Sequence, residues 1–243
     1  MTGEAITWPA GIRPLPNYDW SEIGQQLDAQ GWAVLEDLVA PATCDTWSRM
    51  YANEPLFRKR VVMARYGYGQ GEYQYFNYPL PDAVASLRAA FYPYLAPVAN
   101  QWYEKLKLAP RFPRLHQDFL DRCHQAGQTR PTPLMLRYTA GDFNCLHQDL
   151  YGEHLFPLQV VFLLSQPGVD FSGGEFVMTQ QRARRQSTAE VLPLKKGSAA
   201  IFCVRERPIM GAKNYVKVTM RHGVSRLRSG QRTTMGIIFH DAA

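Results

Sequence analysis

The second half of the chain constrains the fold most strongly. From Thr132 onward, short runs rich in apolar and β-branched residues alternate with turns that contain Gly, Pro, Asn or Asp. The strand-like runs are PLMLRY, LFPLQVVFLL, GEFVMT, AEVLPL, SAAIFC, VKVTMRHGV and RTTMGIIFH. Many short strands separated by turn residues predict a jelly roll or barrel rather than alternating β-α units.

The first 131 residues have a mostly helical pattern. Helices are predicted in YDWSEIGQQLDAQ, which Gly31 ends, and in PATCDTWSRMY. A long helical region is expected in PDAVASLRAAFYPYLAPVANQWYEKLKL, bent or broken near Pro93 and Pro97. The strand WAVLEDL and an aromatic hairpin, RVVMARYGYGQGEYQYFNY, are the exceptions. We therefore expect one α+β domain over 1–243, with a helical support region (1–131) packed on a jelly-roll core (132–243).

Composition indicates a cytoplasmic protein. No run of about 18 apolar residues is present, and the N-terminal MTGEAITWPAG lacks both a basic start and an apolar signal core, so we expect neither membrane insertion nor secretion. The four cysteines are far apart and form no C-x-x-C pair, which argues against a disulfide framework and a zinc knuckle.

Charge is distributed unevenly along the chain. Residues 1–179 contain 14 Lys and Arg against 18 Asp and Glu, whereas residues 180–243 contain 13 against 3. A one-sided basic field favours a polyanion such as nucleic acid. The alternative is a solvated basic rim with one arginine that binds a small acid. The polar, basic segment QQRARRQSTA is the expected rim element.

The string HQD occurs twice, in LHQDFL at 115–120 and in LHQDLY at 146–151. The first copy lies in a helical pattern, where residues two apart point about 200° apart, so that His116 and Asp118 do not face one ion. We interpret it as a surface helix with Phe119 and Leu120 facing inward. The second copy lies between strand-like runs, where residues two apart project from the same side, so that His147 and Asp149 can bind one cation.

A third ligand must come from elsewhere in the chain. His222, in VTMRHGVSRLRSGQR, is the candidate, and His154 and His240 are its rivals. Two His and one carboxylate with open positions are the arrangement typical of non-haem Fe(II) sites that use O2. The alternative is that His222 only donates a hydrogen bond inside a barrel.

An arginine suited to binding a ligand carboxylate lies ten residues after His222. The run RTTMGIIFH places Arg232, Thr234, Gly236 and Ile238 on one face and four packing residues on the other. The first face puts a guanidinium beside small residues, where it can bind a ligand carboxylate through two hydrogen bonds. Arg226 and Arg228 belong to the preceding turn and are expected to be exposed.

The spacing of these residues resembles that of the 2-oxoglutarate and Fe(II)-dependent oxygenases. The resemblance covers residues 133–241 and rests on His147-X-Asp149, on His222 followed by Gly, and on Arg232. It implies a double-stranded β-helix in which His147, Asp149 and His222 hold Fe(II), and Arg232 binds the far carboxylate of 2-oxoglutarate. With O2, such an enzyme converts 2-oxoglutarate to succinate and CO2 and hydroxylates a substrate C–H bond.

Within that superfamily, RYTAGDFNCLHQD resembles the AlkB-type nucleic-acid demethylases, which implies that the Tyr138 hydroxyl donates to the cosubstrate. A second arginine of the AlkB-type pattern is replaced by Ile238, and SGGEFVMT and HGVSRLRSGQR resemble the prolyl-hydroxylase branch. Arg226, Arg228 and Thr234 stay open as further cosubstrate contacts.

Three functions are compatible with these features. The first is oxidative demethylation of single-stranded or damaged nucleic acid, as in DNA repair, and the second is hydroxylation of a protein side chain or a small metabolite. The third is a catalytically silent metal-binding jelly roll. The aromatics of YGYGQGEYQYF either stack a flipped base or pack as an ordinary hairpin on the barrel; they are Tyr66, Tyr68, Tyr73, Tyr75 and Phe76.

Overall fold

The computed structural model describes residues 10–109, 111–149 and 152–243. Residues 1–9, on which the expected absence of a signal peptide depends, lie outside these ranges. Leu150 and Tyr151, which follow the second HQD, lie outside them as well. Among the described residues, no helix has the length and hydropathy needed to cross a membrane.

Four α-helices lie in the first half of the described chain, as the sequence predicts. They are α1 (Trp20–Gln30), α2 (Pro41–Met50), α3 (Asp82–Lys105) and α4 (His116–Gln125). Short 3-10 helices span Leu15–Asn17, Glu54–Leu56 and Met63–Tyr66. The Asp19 side chain caps α1 by accepting from the amides of Ser21 and Glu22, and Gly31 ends it with a φ of 84°.

Helix α3 contains the two prolines at which the sequence predicts a bend or a break. It runs unbroken through Pro93 and Pro97, so the break is absent. Each proline removes one backbone hydrogen bond, but the helix buries ten side chains, among them Phe91, Leu95 and Trp102. Tertiary packing thus stabilises a helix that local propensity alone would interrupt.

Fourteen strands form two antiparallel sheets in the described residues. The first seven are β1 (Trp32–Leu35), β2 (Phe57–Val62), β3 (Gly69–Gln70), β4 (Glu72–Phe76), β5 (Leu134–Thr139), β6 (Phe143–His147) and β7 (Leu158–Leu163). The others are β8 (Phe171–Gly173), β9 (Phe176–Gln181), β10 (Thr188–Leu192), β11 (Ala199–Cys203), β12 (Glu206–Met210), β13 (Tyr215–Val224) and β14 (Leu227–Ile237).

The larger sheet has eight strands in the order β1-β11-β7-β14-β5-β4-β2, with β8 paired to β14. The smaller has six strands in the order β10-β9-β13-β6-β3, with β12 paired to β13. This confirms the α+β fold class with a jelly-roll core. Strands β1 to β4 come from the support region and are part of these sheets. Strands β1, β2 and β4 belong to the larger sheet, and β3 belongs to the smaller. The single-domain organisation stays a proposal, supported by one buried hydrophobic cluster that contains residues from Ile12 to Phe239.

Each of the seven strand-like runs of the second half contains a strand, and β2 and β4 form the expected hairpin. None of the seven runs covers β6, β8 or β12. Strand β6 is partly exposed without alternating burial, and β12 carries Pro208.

The C-terminus is anchored by a buried ion pair. Arg88 of α3 donates through Nη2 to Asp241 Oδ1 at 2.7 Å and through Nε to the Ile238 carbonyl at 2.7 Å. Tyr78 and His124 also bond the Asp241 carboxylate, at 2.7 and 2.8 Å. Burial raises the pKa of Asp241, but the charge of Arg88 and these hydrogen bonds outweigh it and lower the pKa below its ordinary value.

The first HQD belongs to this anchor. It lies on a helix, with Phe119 and Leu120 buried and Asp118 exposed, as expected. The expectation of a surface position is wrong for His116, which is buried and donates through Nε2 to the Phe239 carbonyl at 2.8 Å. Burial and the charge of Arg88 lower the pKa of His116 to about 3, so the ring stays neutral. Its role is structural.

We expect Asp241→Ala to lower the free energy of unfolding by about 3–5 kcal/mol, because it leaves the buried Arg88 charge unpaired. Urea denaturation measures this loss, and Glu190→Ala, on an exposed carboxylate, should change stability by less than about 0.5 kcal/mol. Because the pKa of Asp241 is lower in the folded state, its stabilisation is present above pH 3.8 and is lost as the pH falls through the folded value. Equal stabilities of the two variants would contradict this account of the anchor.

Candidate metal centre

Strand pairing brings together the three residues predicted to bind metal. His147 ends β6, Asp149 follows two residues later, and His222 lies on β13. The two strands pair antiparallel with His222 directly opposite His147. The side chains of a cross-strand pair lie side by side on one face of the sheet. His147 and His222 are therefore spatial neighbours although 75 residues separate them in the sequence.

The donor atoms converge on one point. His147 Nε2 lies 3.4 Å from Asp149 Oδ1, and His222 Nε2 lies 3.4 Å from Asp149 Oδ2. The three donor atoms all lie within 4.8 Å of one another. Two imidazole nitrogens and one carboxylate on one side of an ion leave open positions on the other, so the donor set fits Fe(II).

The rival histidines do not join this group. His240 is fully buried, and its Nδ1 accepts a hydrogen bond from the Phe156 amide at 3.2 Å. The backbone amide of His154 donates a hydrogen bond to Gln128 Oε1 at 2.7 Å. Among the described residues, His147, Asp149 and His222 form a cluster of three potential metal-binding side chains.

Two contacts that the sequence did not reveal orient the second HQD. His147 Nδ1 donates to the Cys145 carbonyl at 2.8 Å, so that in the neutral ring Nε2 is the nitrogen that can bind a metal ion. Gln148 Nε2 donates to the carbonyls of Arg205 and Met220 at 3.0 and 2.9 Å. The middle residue of the motif therefore ties the segment to β13 while its neighbours face the cavity.

The three groups shift one another's pKa values. Burial raises the pKa of Asp149, but hydrogen bonds from the two histidines outweigh it and hold the pKa well below the usual range. Burial likewise lowers the pKa of His147, but Asp149 outweighs it and raises the pKa. Burial and the charge of His147 lower the pKa of His222. An ionised Asp149 and a neutral His222 suit a cation, whereas a metal ion has to displace the proton that the raised pKa favours on His147.

Arg232 and Tyr138 lie in the same cavity as the three donors. The cavity has a volume of about 410 Å³ and is lined by His147, Asp149, His222, Tyr138 and Arg232, among others. This volume falls in the range of roughly 300–1,000 Å³ typical of small-molecule sites. Thr234, Gly236 and Ile238 also line it, which confirms the predicted cavity face of β14.

Arg232 is a buried cation inside this cavity. It is 2% exposed, and its Nε has no hydrogen-bond partner. Burial lowers its pKa to about 10, so the guanidinium stays charged at neutral pH. Its guanidinium carbon lies 5.7 Å from the ring centroid of Tyr138, whose pKa burial raises. An unpaired buried cation is unfavourable, so the site fits an anionic ligand group.

The segment SGGEF makes room for this arginine. Gly174 has a φ of +65°, and a Cβ there would lie 2.3 Å from Leu227 Cδ1 and 3.2 Å from Arg232 Cδ. No other residue type fits without displacing the side chains that pack around Arg232. Arg226 and Arg228 are exposed, as expected, and Arg226 donates to the Gly141 carbonyl at 2.6 Å.

Comparisons with known proteins decide the family. A family model described as "Oxygenase, catalysing oxidative methylation of damaged DNA" matches residues 71–242. The chain belongs to this oxygenase family. An uncharacterised protein of Mycobacterium tuberculosis strain H37Rv is 47% identical to it over 168 residues, which are 69% of this chain and 72% of the relative. A protein of strain CDC 1551 matches equally well.

Solved structures agree with the fold of this family member. An oxidoreductase of the 2OG-Fe(II) oxygenase family from Burkholderia pseudomallei has a TM-score of 0.54 at 15% identity, covering 96% of this chain and 95% of that one. A prolyl-4-hydroxylase from Pseudomonas putida has a TM-score of 0.50 at 15% identity, covering 93% and 100%. These likenesses confirm the double-stranded β-helix. The predicted resemblance to 2-oxoglutarate and Fe(II)-dependent oxygenases is confirmed, and Fe(II) and 2-oxoglutarate agree with the family, the fold and the donor set.

We expect Asp149→Ala and His222→Ala to abolish binding of one divalent metal ion, because each removes a donor from a three-donor group. Anaerobic calorimetric titration with Mn(II) or Fe(II) measures the stoichiometry. His116→Ala alters the first HQD and should bind metal normally, although its melting temperature falls with the loss of a buried hydrogen bond. Asp118→Ala should bind metal normally too. Normal metal binding by His222→Ala would contradict the assignment of His222 as a metal ligand.

Proposed function

We propose that the chain is an Fe(II)- and 2-oxoglutarate-dependent dioxygenase in which His147, Asp149 and His222 hold the metal. Arg232 binds the far carboxylate of 2-oxoglutarate, and Tyr138 lies beside it. The observation that carries this proposal is the presence of a two-His, one-carboxylate group and a buried arginine in one cavity. Membership of an oxygenase family argues against a silent binding module.

When bound, Fe(II), 2-oxoglutarate and O2 supply the oxidative decarboxylation that yields succinate and CO2 and hydroxylates a substrate C–H bond. The chain positions these groups and excludes water. Asp149 balances part of the metal charge, and the Cys145 carbonyl fixes the ring of His147. Arg232 pairs with a carboxylate at low local dielectric, where such a pair is strong.

We expect Arg232→Ala to raise the KM for 2-oxoglutarate about 10- to 100-fold, the effect of losing a buried charge-assisted hydrogen bond. The kcat at saturating 2-oxoglutarate should fall less. Steady-state succinate formation measures both constants. The exposed Arg228→Ala is the matched control and should leave both unchanged, and an equal effect of the two substitutions would contradict the role of Arg232.

For the substrate, the observations favour single-stranded or damaged nucleic acid, which would place the enzyme in DNA repair. The matching family model is described by its action on damaged DNA. Tyr66 and Tyr68 are about half exposed and stack with ring centroids 5.6 Å apart, and Tyr68 lines the cavity. Exposed aromatic rings beside a cavity are suited to stacking an unpaired base. Tyr75 and Phe76 are buried and pack as an ordinary hairpin.

The basic end of the chain supports the same substrate class. The loop between β9 and β10 is exposed throughout and contains Arg182, Arg184 and Arg185. Arg221, Arg226 and Arg228 are exposed as well. Solvent-exposed arginines are accessible to the phosphates of a nucleic acid. A reduced, cytoplasmic setting stays a prediction, with which the four free cysteines are compatible.

A second candidate is hydroxylation of a protein side chain or a small metabolite. It is favoured by Ile238, which places an apolar side chain in the cavity where the AlkB-type pattern has an arginine. Binding of oligonucleotides that weakens steeply with salt would argue against this alternative.

We expect an N-methylated single-stranded oligonucleotide to stimulate succinate formation and to release formaldehyde. Tyr68→Ala should weaken this stimulation about 10-fold, since stacking on one aromatic ring contributes roughly 1–3 kcal/mol per base. Basal succinate formation should be unchanged. Tyr215→Ala, on an exposed tyrosine away from the cavity lining, is the matched control. Basal succinate without stimulation would turn the search to proteins and metabolites.

A further inference from the structure

Gln159 is the polar exception in the most buried strand. All six residues of β7 are buried, and the others are Leu158, Val160, Val161, Phe162 and Leu163. Gln159 is 4% exposed, its side-chain Nε2 has no hydrogen-bond partner, and it lines the metal cavity. A buried amide without a partner is unfavourable. A glutamine here is therefore explained best by a ligand that completes its hydrogen bonds.

Strand register places Gln159 at the metal end of the cavity. It lies directly opposite Phe202 on β11. The Phe202 ring lies 4.7 Å from the ring of His222, one of the three donors. A hydrogen-bond donor carried by Gln159 therefore lies on the side of the cavity where the metal-bound part of a ligand would sit.

Arg232 lies at the opposite end of the same sheet face. Strand β14 pairs with β7 so that Thr234 faces Leu163 and Gly236 faces Val161. Moving along β7 from Leu163 to Val161 to Gln159 leads away from Arg232. The two polar groups thus flank the cavity, separated by small and apolar residues.

Resting on the proposed function, we infer that Gln159 is a positioning residue that donates a hydrogen bond to the metal-bound 2-oxo acid end of 2-oxoglutarate. Arg232 binds the far carboxylate and Gln159 the near end, so the two fix the orientation of the molecule. Because Gln159 is almost fully buried, it contacts only a molecule that enters the cavity completely. A base or a peptide at the mouth would not reach it.

The test compares two ligands that share one end. 2-Oxoglutarate has both ends, whereas pyruvate has the 2-oxo acid group but lacks the far carboxylate. Binding of each to the Mn(II)-loaded protein is measured by anaerobic calorimetry. We expect Gln159→Leu, which keeps the volume but removes the donor, to weaken both ligands about 10-fold. Arg232→Met, the matched control, should weaken 2-oxoglutarate and leave pyruvate unchanged.

A second substitution distinguishes the loss of the hydrogen bond from a change in side-chain packing. Gln159→Glu preserves the shape but places a carboxylate beside an anion, so it should weaken both ligands more than Gln159→Leu does. Mn(II) affinity and melting temperature should be close to wild type in at least one of the two variants. In steady state, the KM for 2-oxoglutarate should rise more than kcat falls.

The outcomes separate the inference from the function on which it rests. Wild-type affinity for both ligands in a folded Gln159 variant would overturn the inference while the oxygenase stands. Loss of 2-oxoglutarate binding with pyruvate unchanged would also overturn it, because the amide would then act at the far end. A metal-loaded wild-type protein that binds neither ligand would overturn the proposed function itself.

Discussion

The register between β6 and β13 is the constraint on which the site depends. Because side chains alternate between the faces of a strand, a slip by one residue would turn His222 away from His147. The pairing continues from β13 to β9, where His222 lies opposite Met178. The buried rings of Phe176 and Phe202 also pack on His222, with centroids 5.8 and 4.7 Å away. The two histidines of the candidate site therefore meet through the pairing of two strands, and Asp149 follows two residues after the end of β6.

The two HQD strings show how the same residues acquire different roles. On α4 the helical repeat separates His116 from Asp118, one buried and one exposed, and His116 supports the C-terminal segment. After β6 the extended chain turns His147 and Asp149 to the same side. The middle glutamine differs too, since Gln148 donates to the backbone carbonyls of Arg205 and Met220. Local conformation, and not the string, determines which copy can bind a cation.

Sequence reasoning succeeded where the deciding physics is local. The alternation in RTTMGIIFH is a property of any extended chain, and it identified the cavity face with Arg232. The sequence did not predict the features that depend on contacts between residues far apart in the chain. The partner of Asp241 is 153 residues away, and the burial of His116 is set by a carbonyl 123 residues away. Gln159 was hidden because a single amide in an apolar run carries no periodic signal.

Both backbone polar groups of Cys145 are hydrogen-bonded. Its amide donates to the Tyr68 carbonyl at 2.9 Å, and its carbonyl accepts from His147 Nδ1 at 2.8 Å. One residue thus connects the loop of the exposed tyrosines to the ring of a metal-facing histidine. Two hydrogen bonds therefore connect the mouth of the cavity to its floor. If a ligand at one end shifts this connection, reciprocity requires an equal effect at the other end.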